Sequence, residues 1–439
     1  MKNSIIIFAL FFTAINSFAQ ETNYGEVPLP ADRQTEAIVL LGGIAHLGNG
    51  QIIENSAIGF RDGKITFVAD ATTVKLNPAD AKIINIAGKH VYPGLIAPNT
   101  VLGLNEIDAA RPTRDQAEVG EFNPNVRSII AYNTDSRVTP TIRSNGILLV
   151  QITPQGGTIT GSSSIVELDA WNWEDASYKL DNGIHLNWPN MFSYSGWWAE
   201  PGGVTENKDY TKQVDNITNF FNEAKAYSQT ADPEVTNLKF EAMKGLFDGS
   251  KKLFINVDYV RSIEAAIDFA KSFGLQIVIV GGSDSWMVAD LLKENNVAVI
   301  LGETHDLPGS EDDDINQPYK TPYMLQQKGI LYCLSINGAW QQRNLPFMAG
   351  TAAAYGLSKE EALMAISSST AKILGIENSV GTIESGKDAT LIVSDGDILD
   401  MRTSKVIYAF IEGRQIDLDN KQKQLYRRFM AKYGLTPVE

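Results

Sequence analysis

His305 stands in Gly302-Glu303-Thr304-His305-Asp306-Leu307-Pro308, just after the apolar run at 297–301. An imidazole beside a carboxylate can take up and return a proton near neutral pH. His305 is therefore a candidate general base, or a donor to a ligand, with Asp306 to orient it. A loop histidine that caps a turn is the competing reading. Glu311-Asp312-Asp313-Asp314 is dense in carboxylates but lacks the alternating ligands and glycine of a calcium loop, so it reads as a solvated acidic stretch. Gly156-Gly157-Thr158-Ile159-Thr160-Gly161-Ser162-Ser163-Ser164 could offer backbone N–H groups to an anion, yet no lysine ends it and Ser163 is in no Gly-x-Ser-x-Gly elbow. A flexible polar loop facing a site is the expectation there. Tryptophans gather at Trp171, Trp173, Trp188, Trp197 and Trp198, suited to stacking on a ring-shaped ligand or to packing as a lid. Arg111, Arg114, Arg127, Arg137 and Arg143 could hold a carboxylate wherever they face a site; surface pairing is their ordinary role.

Two kinds of element must position these groups. From residue 37, short β-prone runs alternate with Gly48-Asn49-Gly50 and Asp62-Gly63-Lys64, the pattern of hairpins, and this β unit ends near Ile86. The middle of the chain changes rhythm. Buried-strand runs at 146–152, 253–257, 276–280, 297–301 and 330–334 alternate with helical patterns such as 262–270. Apolar strands alternating with amphipathic helices predict a parallel sheet covered by helices, and the span suits an eight-stranded α/β barrel. Ser358-Lys359-Glu360-Glu361 predicts a capping box opening a helix over 362–374. Hairpin signals return after Gly375. A polar helix over 418–434 has Leu425, Phe429 and Met430 as a docking stripe.

The 439 residues carry a net charge of −15, which argues against nucleic acid or an anionic membrane as partner. Cys333 is the single cysteine, so no disulfide forms within the chain, and its apolar neighbours predict a buried strand residue. Lys2, the apolar stretch at 5–15 and Ser17-Phe18-Ala19 form an export signal, with cleavage expected after Ala19. The expected product is periplasmic or secreted.

Residues 91–101 read Val-Tyr-Pro-Gly-Leu-Ile-Ala-Pro-Asn-Thr-Val. They resemble the leading segment of the amidohydrolase superfamily, where Pro-Gly-Leu-Ile is followed by Asp-x-His-x-His. Residues 380–393, with Gly381-Thr382-Ile383-Glu384-Ser385-Gly386-Lys387-Asp388-Ala389, resemble that superfamily's closing motif. Asn344-Leu345-Pro346-Phe347 and the stretch to Leu363 look closest to its imidazolonepropionase-like branch. The resemblance covers about 37–416. It implies a (β/α)8 TIM-like barrel over 91–378 with a composite β-sandwich from 37–90 and 379–417, after a linker at 20–36 and before a C-terminal helix at 418–439.

The resemblance also implies a catalytic metal, commonly Zn²⁺, held by two strand-one histidines, further histidines after strands five and six and an aspartate after strand eight. Here the aligned residues are Asn99 and Val101, then Asn256, Gly281 and the neighbourhood of Ser335 to Asn337. Among the four histidines, His46 and His90 fall in the β unit, and His185 and His305 are expected in loops. Asn, Val and Gly make poor Zn²⁺ ligands, so no metal cofactor is expected. The resulting expectation is an exported superfamily member that no longer hydrolyses through a metal and binds a ligand or a partner, either a second copy or a catalytically intact relative. The alternatives are a C–N hydrolase with an unusual site and an extracytoplasmic sugar or peptide binder. His305 and Asn337 are the catalytic candidates; Asn99, Asn256, Trp197 and Arg343 are the ligand-binding candidates.

Overall fold

The computed structural model describes residues 28–437 except 78, 198 and 308–312. The expected export signal and its cleavage site lie outside the described residues. Two eight-stranded sheets and a separate two-stranded ribbon organise the chain.

One sheet is the barrel. Its strands are Leu95–Thr100, Ile147–Ile152, Ile159–Glu167, Ser177–Asn187, Lys252–Val257, Ile277–Gly281, Ala298–Leu301 and Tyr332–Leu334, neighbours in chain order. Helices follow where the apolar spacing placed them. Val260–Phe273 buries Ile263, Ala266, Ile267 and Ala270 against the sheet and stops at Gly274, whose φ of 73° serves a left-handed cap. The capping box at Ser358 and Glu361 forms as expected. Cys333 is buried in the last strand, and burial pushes its thiol up.

Three features depart from the expected pattern. The third strand runs antiparallel to both neighbours, while the other pairings in the sheet are parallel. Only residues 153–158 separate it from the second strand, too few for a helical crossover of about a dozen residues, so the chain must turn straight back. Gly156 and Gly157, at φ 86° and 67°, make that turn. The supposed polar loop beyond them is strand Ile159–Glu167, buried throughout. Second, the expected helix over 362–374 is broken into Lys359–Met364 and Ser368–Leu374. The backbone between them is needed elsewhere: Leu334 N donates to Ala365 O at 3.1 Å and Ile96 N to Ile366 O at 3.0 Å, so this segment bridges the last strand to the first. Third, His185 is a fully buried strand residue and not a loop residue.

The other sheet joins both ends of the chain. Its order is Arg414–Gln415, Val406–Ile411, Leu391–Ser394, His90–Pro93, Ile38–His46, Ile52–Arg61 and Lys64–Asp70, with Lys82–Asn85 also paired to Ile38–His46. Leu391 pairs with Pro93 and Ser394 with His90, the contact that makes the unit composite. It packs around its own core, where Phe60 and Phe410 meet edge-on with ring centroids 5.0 Å apart.

Buried charge ties barrel to sandwich. Arg143 Nη1 donates to Asp169 Oδ1 at 2.6 Å, and Arg414 donates to Asp169 at 3.0 Å and to Glu167 at 3.0 Å. Burial and the nearby Glu412 push Glu167 up to about 8. The C-terminal helix is Lys421–Lys432, docked through Thr141 to Gln422 at 2.9 Å and Asn420 to Ser144 at 3.0 Å. Phe429, expected in its docking stripe, is exposed.

Candidate functional site

At the C-terminal ends of the barrel strands the loops enclose a cavity of about 760 Å³, the face where sites form in this architecture. Asn99, Asn187 and Asn256 project from the first, fourth and fifth strands; Ser335 and Asn337 follow the eighth. Trp188, Tyr259, Trp286 and Met287 supply aromatic and thioether surface. Asp258, Asp284, Glu303, Asp306 and Asp313 supply carboxyl groups, and among the described residues no Lys, Arg or His lines the cavity.

The local geometry explains how these groups are held. Asn256 Nδ2 donates to Asn187 Oδ1 at 2.9 Å, and Asn187 Nδ2 to Gly157 O at 2.8 Å, so each amide is fixed by its neighbour. Asn99 has φ 51°, a turn-like backbone within the first strand, and its N–H donates to Gln151 Oε1 at 3.1 Å. Asp258 accepts from Ser283 Oγ at 3.0 Å, Asp284 accepts from Val260 N at 3.1 Å at the start of a helix, and Glu303 accepts from Asn337 N at 3.1 Å. Burial, reinforced by Asp313 and Asp258, raises Asp284; burial and Asp306 raise Glu303.

One layer deeper the barrel holds a polar chain. His185 and Phe254 lie two residues before the cavity-lining Asn187 and Asn256, on the same faces of their strands. Their rings stack at 4.7 Å. Gln151 Nε2 donates to Ser163 Oγ at 3.0 Å, Ser163 donates to Asn182 Oδ1 at 2.9 Å, and His185 Nε2 lies 2.9 Å from the same hydroxyl. With the hydroxyl proton directed at Asn182, Ser163 accepts from His185, which assigns the neutral ring with its proton on Nε2. His185 Nδ1 is buried and has no partner.

The candidates read from the sequence divide cleanly. Asn99, Asn256 and Asn337 come together at the cavity. His305 does not line it: its Nε2 is 2.6 Å from Thr351 Oγ1 on helix Leu345–Ala354, and Asp306 accepts from Leu307 N instead of orienting the imidazole. Desolvation lowers the His305 pKa. Trp197 lies on the ribbon Phe192–Trp197 and Glu200–Glu206, 56% exposed and apart from the cavity lining, where Trp188 and Trp286 stand instead. Arg343 donates to Trp340 O within its own short helix and also lies outside the lining. Of the acidic stretch, Asp313 reaches the cavity, Asp314 pairs with Lys320, and Glu311 and Asp312 lie outside the described residues. Asp258, Asp284, Glu303 and Asn187 were not singled out. Their position within three residues of a strand's C-terminal end was the available signal.

Zn²⁺ does not fit the residues present. Among the described residues no group of three or more His, Cys, Asp or Glu side chains is placed to share an ion. The aligned positions bring amides from Asn99 and Asn256, a hydroxyl from Ser335 that donates to Leu301 O, and nothing from Val101 or Gly281. At Gly281 the space is taken. Its φ is 90°, and a Cβ there would lie 2.5 Å from Asp258 Oδ1. Gly281→His is therefore expected to destabilise the fold by about 1–3 kcal/mol without creating zinc affinity, read by thermal melting and zinc titration.

A barrel of this topology, carrying its cavity at the strand C-termini beside a composite sandwich, defines a hydrolase-type architecture. The chain belongs to the amidohydrolase superfamily: the model of the Amidohydrolase family matches residues 202–416. An imidazolonepropionase of Mesorhizobium japonicum is 25% identical over 395 residues, covering 84% of this chain and 93% of that protein. The crystal structure of an amidohydrolase from Thermotoga maritima superposes with a TM-score of 0.73 at 21% identity, over 87% of this chain and 99% of the other. An adenosine deaminase from Xanthomonas campestris, solved with bound zinc, gives a TM-score of 0.52 at 14% identity over 93% and 99% of the two chains.

Proposed function

We propose that this chain is an exported member of the imidazolonepropionase-like branch that has given up metal-dependent hydrolysis of C–N bonds and uses its barrel mouth to bind a small ligand. The observation that carries this reading is the pairing of Gly281 with Asp258: at the position aligned with a metal-binding histidine, a side chain would meet at its Cβ a carboxylate already hydrogen-bonded to Ser283. A cavity of about 760 Å³ persists over the altered site, large enough for a metabolite-sized ligand. Association with a second copy or a catalytically intact relative belongs to the same reading.

Metal analysis of the protein isolated from its own compartment tests it. The expected result is substoichiometric zinc, and no chelator-sensitive turnover of amides, lactams or dipeptides. Stoichiometric zinc with turnover abolished by a chelator would overturn the proposal. Mass spectrometry of the same sample reads the export step, with Gln20 expected as the first residue.

A metal-free C–N hydrolase is the second reading, favoured by the raised pKa values of Glu303 and Asp284, since a carboxyl group moved toward neutrality can serve as a general acid. Turnover that persists in metal-free protein and vanishes in Glu303→Gln would establish it in place of the first.

A further inference from the structure

We infer that the barrel-mouth cavity selects organic cations: small molecules bearing an ammonium or guanidinium group. The inference rests on the ligand-binding reading above and supplies the chemistry of its ligand. Among the described residues five carboxyl groups line the cavity, and no basic side chain does. Among the described residues Asp258, Asp284, Glu303 and Asp306 form no ion pair with a Lys, Arg or His; their partners are hydroxyl and backbone N–H groups. Other carboxylates of the chain are compensated by a base. Asp169, Asp388 and Asp181 each face a lysine or arginine.

Uncompensated negative charge in a low-dielectric concavity is costly to the protein alone and attractive to a cation that enters it. Trp188, Tyr259 and Trp286 form part of the wall beside these carboxyl groups. Aromatic faces also attract ammonium and guanidinium groups through their quadrupole. Two features favour an organic cation over a metal ion. The carboxyl groups are not gathered as a shared ligand set among the described residues. The cavity floor is neutral amide, with Asn99, Asn187 and Asn256 offering donors and acceptors to the uncharged part of a longer molecule. An anion finds only amide donors there, opposed by the surrounding carboxylates.

Calorimetric titration of the full exported chain tests this with a matched series. Putrescine, N-acetylputrescine and N,N′-diacetylputrescine carry two, one and no positive charges on one skeleton, and glutarate carries two negative charges. A lysyl dipeptide and its Nε-acetyl form test a basic peptide as the source of the cation. Affinity is expected to fall by about tenfold for each charge removed from the ligand, and with rising salt. Glutarate is expected to give no heat. Glu303→Gln and Asp284→Asn should each weaken the cation by about tenfold. Asp306→Lys, at an exposed rim position where folding is not at stake, should do the same or more. The inference is overturned if diacetylputrescine or glutarate binds as tightly as putrescine, if no probe binds, or if calcium alone binds and putrescine does not displace it. Zinc content measured on the same samples separates the two proposals. Stoichiometric zinc overturns the functional reading and leaves charge selectivity standing, whereas lost selectivity in metal-free protein overturns only the inference.

Discussion

Asp169→Asn is expected to lower the unfolding free energy by about 3–5 kcal/mol, seen as a fall in denaturant midpoint with little change in slope. Asp169 has no solvent exposure and holds two cations, Arg143 at 2.6 Å and Arg414 at 3.0 Å, while its Oδ2 also accepts from Ala31 N at 2.9 Å. Arg143 is itself only 3% exposed, and its Nε and Nη2 already lack partners. Removing the carboxylate strands a buried guanidinium that can neither deprotonate nor reach water, and the penalty is the desolvation of that charge. Arg143→Met combined with Asp169→Asn should recover part of the loss, because the stranded Arg143 charge is then gone. A loss below about 1 kcal/mol for Asp169→Asn would show that the junction between barrel and sandwich is hydrated and that its ion pairs behave as surface pairs.

The second large effect is acid lability centred on His185. Full burial depresses its pKa from 6.5 to about 3. The sign follows from linkage. As pH falls below 6.5 the unfolded chain takes up the proton first, while the folded chain resists until about pH 3. Stability is therefore intact above 6.5 and declines below it, by up to about 1.4 kcal/mol per pH unit from this group, or about 2 kcal/mol at pH 5. The folded state resists because the ring stacks on Phe254, donates to Ser163 and has no acceptor for a second proton at Nδ1. His185→Gln should cost about 1–3 kcal/mol at pH 7.5 and show a flatter decline between pH 6.5 and 4.5 than the parent chain. Parallel stability–pH curves for the two proteins would place the protonation elsewhere.

Much of the fold was legible because its signals are local. Ser358 and Glu361 satisfy each other's helix-terminal N–H groups within four residues, so the capping box could be read without the rest of the molecule. The strand runs at 253–255 and 297–301 are apolar throughout, as strands buried on both faces must be. The reversed third strand was less visible. Gly161 and the serines at 162–164 give its run the composition of a polar loop, and the short segment joining it to the second strand dictates its direction.

The candidate site shows the same division. Residue type is a property of one position, so the amide, valine and glycine at Asn99, Val101, Asn256 and Gly281 could be read without the fold. Which side chains then form the site depends on where each loop turns after its strand. His305 and Asp306 are adjacent in sequence, yet Thr351 draws the imidazole to a helix while Asp306 lines the cavity. Gly281 read as a loss, and only the structure shows Asp258 occupying the space that loss opened. The sequence by itself determined the superfamily and the composite architecture, because residue type and spacing are properties of the chain. Tertiary structure alone decided that four carboxylates without an ion pair among the described residues converge on one cavity, because parallel pairing of the fifth, sixth and seventh strands brings the loops that carry them to one end of the barrel.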